Sequence, residues 1–447
     1  MVPDGATDVK RVVICGAAGR DFHDFNVLYR NARDVEVVAF TATQIPGIHQ
    51  RRFPASVAGD RYPDGIPIFA EAELGRICEE QGVDEVVFAY SDISTDHVMA
   101  VAAQALAHGA SFVLPSPSST MLSSSLPVIS VCAVRTGCGK SQICRYISSR
   151  LREEGLRTGV IRHPMPYGNL ADQTVQRFAT PEDLDAAACT LEEREEYEPH
   201  LKAGGKVFAG MDYQGILHAA EAESDVILWD GGNNDHPFVR PDLNIVVVDA
   251  LRPTDVAGHF PGHSVLLMAD LVVVNKSNAA TAEQLVALNE TLARYVPGTP
   301  RIQGDSVVRL REAPALAGAR VLVVEDGPTI THGGMPHGAG YAAVRQIADV
   351  TVVDPRPFAA GSLVETFASY PHIGPVLPAM GYSEAQRSHL AETINNANVD
   401  FVVAGTPIDL AQALGLKTPV VRVFYDFEEP NGNELMDRVR QTLSERE

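Results

Sequence analysis

The chain is short of basic residues: 36 lysines and arginines stand against 57 aspartates and glutamates, for a formal net charge of -21. Nucleic acids and anionic membranes require a basic face, so this balance argues against either as a partner. No uninterrupted apolar run reaches the roughly 18 residues of a membrane span, and the opening MVPDGATDVKRVV has no apolar signal core. These absences predict a cytoplasmic protein. The six cysteines, Cys15, Cys78, Cys132, Cys138, Cys144 and Cys189, form no C-x-x-C pair and no cluster with histidine, so reduced thiols are expected rather than a thiol-ligated metal. Repeats and low-complexity tracts are missing too. What is present is an ordinary apolar content over 447 residues, enough for two or three domains that each bury a core.

Residues 128–141, VISVCAVRTGCGKS, run an apolar strand into a glycine-rich turn. Gly137 and Gly139 let successive N–H groups face a phosphate. Lys140 brings positive charge to the β/γ oxygens, and Ser141 offers a hydroxyl to Mg2+. Val134 stands where the full Walker spacing wants its first glycine. The tighter pattern basic-x-Gly-x-Gly-Lys-Ser fits instead, with Arg135 where one subclass of NTPases carries a second lysine able to reach a γ-phosphate. Thr136 and Cys138 complete the candidate nucleotide loop, Cys138 being either an activated thiol or, more simply, a small filler. The competing reading is a strand-to-helix turn with an incidental lysine.

A second apolar run, 225–230, ends on Asp230-Gly231-Gly232. On a parallel strand beside the loop strand, Asp230 would meet the Ser141-bound Mg2+, and Gly231 and Gly232 would leave room for a γ-phosphate. A third run ends in Asn275-Lys276-Ser277-Asn278, like the base-reading loop of GTPases but with Asn278 in the aspartate's place. An amide accepts only at its oxygen, which weakens guanine selectivity and favours ATP, with GTP as the alternative.

Residues 9–124 alternate strands and helices, the pattern of a parallel sheet. The first strand empties into a G-x-x-G turn, residues 16–19, but no acid follows the second strand to hold an NAD ribose. Arg51 and Arg52 lie in a basic loop near a sheet edge, and Tyr90-Ser91-Asp92 closes another strand. A Ser/Pro-rich stretch, 115–127, marks a boundary. The expected fold is α/β: an N-terminal Rossmann-like parallel sheet domain (1–124), a phosphate-loop NTPase domain (125–317), and a C-terminal α/β domain or extension of the NTPase sheet (318–447).

Arg162 and His163 leave the strand next to the loop and are expected to bind substrate phosphate. The acid-rich 192–200 reads as a solvated helix. Residues 325–340, dense in glycine, hydroxyl and histidine, suggest a backbone nest for an anion.

The motifs Gly16-Ala17-Ala18-Gly19-Arg20-Asp21-Phe22-His23, Val134 to Ser141, Arg162-His163-Pro164-Met165-Pro166-Tyr167-Gly168, Trp229 to Asp235 and Glu325-Asp326-Gly327-Pro328-Thr329 resemble the cyclic 2,3-diphosphoglycerate synthetases and the predicted GTPases grouped with them, over nearly the full length. The resemblance implies an NTPase that uses ATP and Mg2+ to close 2,3-diphosphoglycerate into a phosphoanhydride, releasing ADP and phosphate, and a homodimer. Such a small polyanionic substrate needs cations besides Lys140, for which Arg20, His23, Arg162, His163 and His332 are the candidates. The alternative is a GTPase switch or metallochaperone-type NTPase acting on a protein partner.

Overall fold

Runs of valine, isoleucine and leucine too apolar to leave either face in water organise the chain into three largely parallel sheets flanked by helices. The computed structural model describes residues 9–17, 19–43, 51–163, 170, 173–232, 234–310, 316–331, 333–381 and 383–446. His332 and the motif residues 18, 164–168 and 233 lie outside that set.

The first sheet is built from β1 (Lys10–Cys15), β2 (Val35–Ala42), β3 (Arg52–Phe53), β4 (Ile66–Ala70), β5 (Glu85–Phe88) and, beyond a short β6 (Ile93–Ser94), β7 (Ser111–Val113). Its order is β3-β4-β2-β1-β5-β7. The chain therefore reverses direction across the sheet between β1 and β5, the place where open α/β sheets bind ligands. Arg52, on the edge strand, spends its guanidinium on the carbonyls of Asp64 and Gly65.

The second sheet runs β10-β11-β9-β12-β8-β13-β15-β16, from β8 (Val128–Ala133), β9 (Thr158–Ile161), β10 (Gln176–Phe178), β11 (Lys206–Ala209), β12 (Val226–Trp229), β13 (Leu243–Asp249), β15 (Leu271–Asn275) and β16 (Arg301–Gln303). All six residues of β8 are buried, and β12 pairs with it in parallel, Trp229 opposite Ser130. That register carries Asp230 to the mouth of the glycine turn. The remaining strand, β14 (His259–Phe260), pairs antiparallel with β6 and stitches the first two sheets together.

The third sheet, β17 (Asp305–Leu310), β18 (Arg320–Asp326), β19 (Thr351–Val352), β20 (Leu377–Ala379), β21 (Phe401–Gly405) and β22 (Val420–Glu428), is separate from the second. The final helix, Glu434–Arg446, returns to the second core: Leu435, Met436 and Val439 are buried there, and Arg440 pairs with Glu154 at 2.6 Å. No helix among the described residues is long and apolar enough to cross a membrane.

Candidate active site

The carboxyl ends of all three sheets open on one cavity of about 370 Å³. Residues 135–142 form one wall. Facing them are Asp92, at the end of the first sheet, and Glu325 and Asp326, at the end of β18.

Gly137 and Gly139 adopt φ of +83° and +98°, so a side chain at either would be strained. The helix Lys140–Glu153 follows directly. Ser141 Oγ donates to Asp230 Oδ1 at 3.3 Å, and Lys140 Nζ lies 3.3 Å from the same oxygen. Arg162 bridges the pair, Nη1 standing 3.1 Å from Ser141 Oγ and 2.8 Å from Asp230 Oδ2. Its Nη2 pairs with Glu196. His200 Nε2 completes the set, 2.8 Å from Asp230 Oδ2. Burial pushes the Asp230 carboxyl upward, but Arg162, Lys140 and His200 outweigh it and hold the group well below the usual carboxylate range. Burial lowers both Lys140 and His200, with Asp230 opposing in each case. Facing a carboxylate oxygen, His200 Nε2 is the donor of the pair.

Asn275 and Lys276 support the loop from behind. Asn275 Nδ2 donates to the Cys138 carbonyl at 2.8 Å, while Lys276 Nζ donates to the Gly137 carbonyl at 2.7 Å and to Asp249 at 2.6 Å. Asn278 has both ends of its amide on the Ser306 backbone, at 3.2 and 3.1 Å. Cys138 is a filler: it is buried, and burial raises its thiol above the ordinary value.

Several expectations need correction. His23 does not line the cavity; its ring stacks on Phe238 at 4.3 Å, its Nε2 donates to the Thr120 carbonyl, and burial lowers it to about 3. It ties the first helix to Phe238 and to the Thr120 carbonyl, and carries no charge for a substrate. Arg20 does reach the cavity wall, yet its guanidinium is held by Asp24, at 3.2 Å, and by the His236 carbonyl. His163 lines the cavity with Nδ1 3.0 Å from Asp235. Gly232 is glycine because a Cβ there would strike His163, and Gly231 because one would strike Trp229, rather than to make room for phosphate.

The amides of Gly340 and Tyr341 are taken by the Glu325 carboxylate, so this part of the expected anion nest is filled by the chain itself. The turn after β1 is treated similarly, Asp21 accepting from Gly19 and Phe22. Helix Leu191–Lys202 is not solvated. Glu192, Glu193, Glu195 and His200 are buried, and Glu195 and Glu196 face the cavity. Glu195 accepts from Thr406, across the seam to the third sheet. Burial raises Glu195 well above its ordinary value and brings Glu325 and Glu192 to about 7. The apolar stripe of Leu191, Tyr197 and Leu201 was the available sign that this helix packs inward.

No family model matches the chain. Among solved structures, LpxK from Aquifex aeolicus in complex with ATP superposes with a TM-score of 0.44 at 15% identity, covering 72% of this chain and 90% of that one. FtsY from Thermotoga maritima gives 0.27 at 13% identity, covering 42% and 64%. Both likenesses are too distant to bear on function. The arginine synthetase ArcE of Thermococcus kodakarensis is 52% identical over 420 residues, 94% of each chain; its name differs from that of the cyclic 2,3-diphosphoglycerate synthetases which the motifs resemble. At that identity, over nearly its whole length, the chain belongs to the arginine synthetase ArcE family.

Proposed function

We propose that the chain is an ATP- and Mg2+-dependent synthetase that forms arginine by activating a ureido oxygen of an amino acid. The observation that carries this reading is the composition of the shared cavity, whose lining carries six acidic side chains, among them Glu195, Glu196, Glu325 and Asp326. Carboxylates suit the guanidinium of arginine, which they can engage with two parallel hydrogen bonds. They repel a bis-phosphorylated acid. Closure of 2,3-diphosphoglycerate also calls for several free cations, whereas Arg162, Arg135 and Lys276 are paired with Asp230, Asp92 and Asp249, which leaves Arg145 as the one unpaired cation of the cavity among the described residues. A guanine-specific switch finds little support either, with Asn278 tied to Ser306.

The chemistry follows from the product. Arginine differs from its δ-ureido analogue by one nitrogen in place of oxygen. The γ-phosphoryl group passes from ATP to the ureido oxygen and ADP leaves. Ammonia then attacks the activated carbon, the C–O bond breaks, and phosphate departs with the former ureido oxygen. Loop amides and Lys140 hold the phosphates in line, and their preorganised charge stabilises the transferring group. Ser141 and Asp230 are the residues to hold Mg2+, two oxygens being a usual protein share when phosphates and water supply the rest. Bound there, the ion neutralises phosphate charge. Arg162, which lies against the same two side chains, would add its positive charge beside the transferring phosphoryl group.

Phosphorus-31 NMR of the protein with Mg2+ and ATP tests the reading. ADP and phosphate forming only with the ureido acid and ammonium present, together with arginine, supports it. Turnover with 2,3-diphosphoglycerate to a cyclic anhydride, or with GTP alone, overturns it.

A further inference from the structure

Six cations line the cavity, namely Arg20, Arg135, Lys140, Arg145, Arg162 and Lys276. Five are paired: Arg20 with Asp24, Arg135 with Asp92, Lys140 and Arg162 with Asp230, and Lys276 with Asp249. Arg145 alone has no hydrogen bond or ion pair among the described residues. It stands one turn beyond Ser141 on the helix Lys140–Glu153, which packs on β22 through Tyr146 and Phe427. On the other side of that seam Tyr425 also lines the cavity, within electrostatic reach of Arg145, Glu195, Glu325 and Asp326. One uncommitted guanidinium beside a group of carboxylates is complementary to a molecule carrying both signs of charge.

We propose that Arg145 binds the carboxylate of the amino-acid substrate, at the seam between the phosphate-loop helix and the third sheet. The assignment rests on the amino-acid reading given above. A planar guanidinium meets a carboxylate with two parallel N–H···O bonds, a geometry that lysine does not reproduce. With its carboxylate held there, the substrate presents its nitrogen-rich end to the acidic wall and to the phosphate loop. A phosphate of ATP offers Arg145 similar chemistry, and the two sources are separable.

The test is calorimetric titration of the full chain and of Arg145→Gln and Arg145→Lys with three probes: L-arginine, agmatine, which is arginine without its carboxylate, and the nonhydrolysable ATP analogue AMP-PNP. The wild type is expected to prefer arginine to agmatine by at least about tenfold, the worth of a charge-assisted pair. In Arg145→Gln arginine weakens by about tenfold or more, while agmatine and AMP-PNP stay within about twofold; Arg145→Lys falls between. Retained AMP-PNP binding shows that the variants are folded. Equal losses for arginine and agmatine, or a loss confined to AMP-PNP, overturn the assignment and leave the arginine reading standing. If the wild type binds AMP-PNP but neither guanidine, the arginine reading falls and this assignment with it.

Discussion

His200 Nε2 donates to Asp230 Oδ2 across 2.8 Å, and both side chains are almost fully buried. The histidine belongs to a helix that also carries Glu195 and Glu196 into the cavity, so one element both holds the Asp230 carboxylate in place and lines the cavity wall. Asp230 keeps its other oxygen for Ser141 and Lys140.

His200→Ala removes that orienting bond without touching the nucleotide loop. The expected outcome is a loss of about 10–100-fold in Mg2+ affinity, as for other residues that orient a metal ligand. Titrating Mg2+ against ATP turnover measures it, and an unchanged Mg2+ curve would assign the histidine to packing alone.

Lys140→Ala deletes a charge aimed at the transferring phosphoryl group. Turnover should fall by about 10²–10³, the typical cost of removing one preorganised electrostatic contact. Full activity in this variant would take the loop out of the mechanism.

Glu325 gives a pH dependence with a definite sign. Burial raises its carboxyl from 4.5 to about 7, opposed by the amides of Tyr341 and Gly340. A raised value in the folded protein contributes stability that is complete below the unfolded value and is lost as pH climbs through the folded one. The wild type should therefore lose up to about 3 kcal/mol from this group between pH 4.5 and 7, and Glu325→Gln should flatten that part of the curve. Urea denaturation of both proteins at pH 5 and 8 checks the slope; parallel behaviour would contradict the buried, proton-binding Glu325.

Nucleotide choice follows from Asn278. With its amide spent on Ser306, ATP should compete for the site at least about tenfold better than GTP, roughly the worth of one or two lost hydrogen bonds. Asn278→Asp should not create guanine selectivity, because an aspartate there sets its oxygen against the Ser306 carbonyl. Competition binding with a fluorescent nucleotide reads both.

The glycine turn and its approach to Asp230 were legible because their parts are local. A buried strand, two glycines and a lysine are contiguous in 128–141, and Asp230 ends a four-residue apolar run whose shortness and following Gly-Gly mark it as a strand. The acceptor wall was not, because its residues come from distant segments and their roles depend on what packs against them. Charge counting in 192–200 points to a solvated helix, since five acids in nine residues look hydrated until the Gly381 amide and the Thr406 hydroxyl are seen donating to Glu192 and Glu195 in the interior. The nest expected over 325–340 is in part closed for the opposite reason: the Gly340 amide, and that of Tyr341 beside it, are filled by Glu325 in space. Arg145 had no motif around it, and only the pairing of the cations around it sets it apart.

The most direct measurement of the central claim, phosphoryl activation of a ureido oxygen by ATP, is the fate of that oxygen. With the ureido acid labelled with oxygen-18 and supplied with Mg2+, ATP and ammonium, the account predicts one labelled atom in each inorganic phosphate formed alongside arginine. Unlabelled phosphate, or label appearing in AMP, would contradict it.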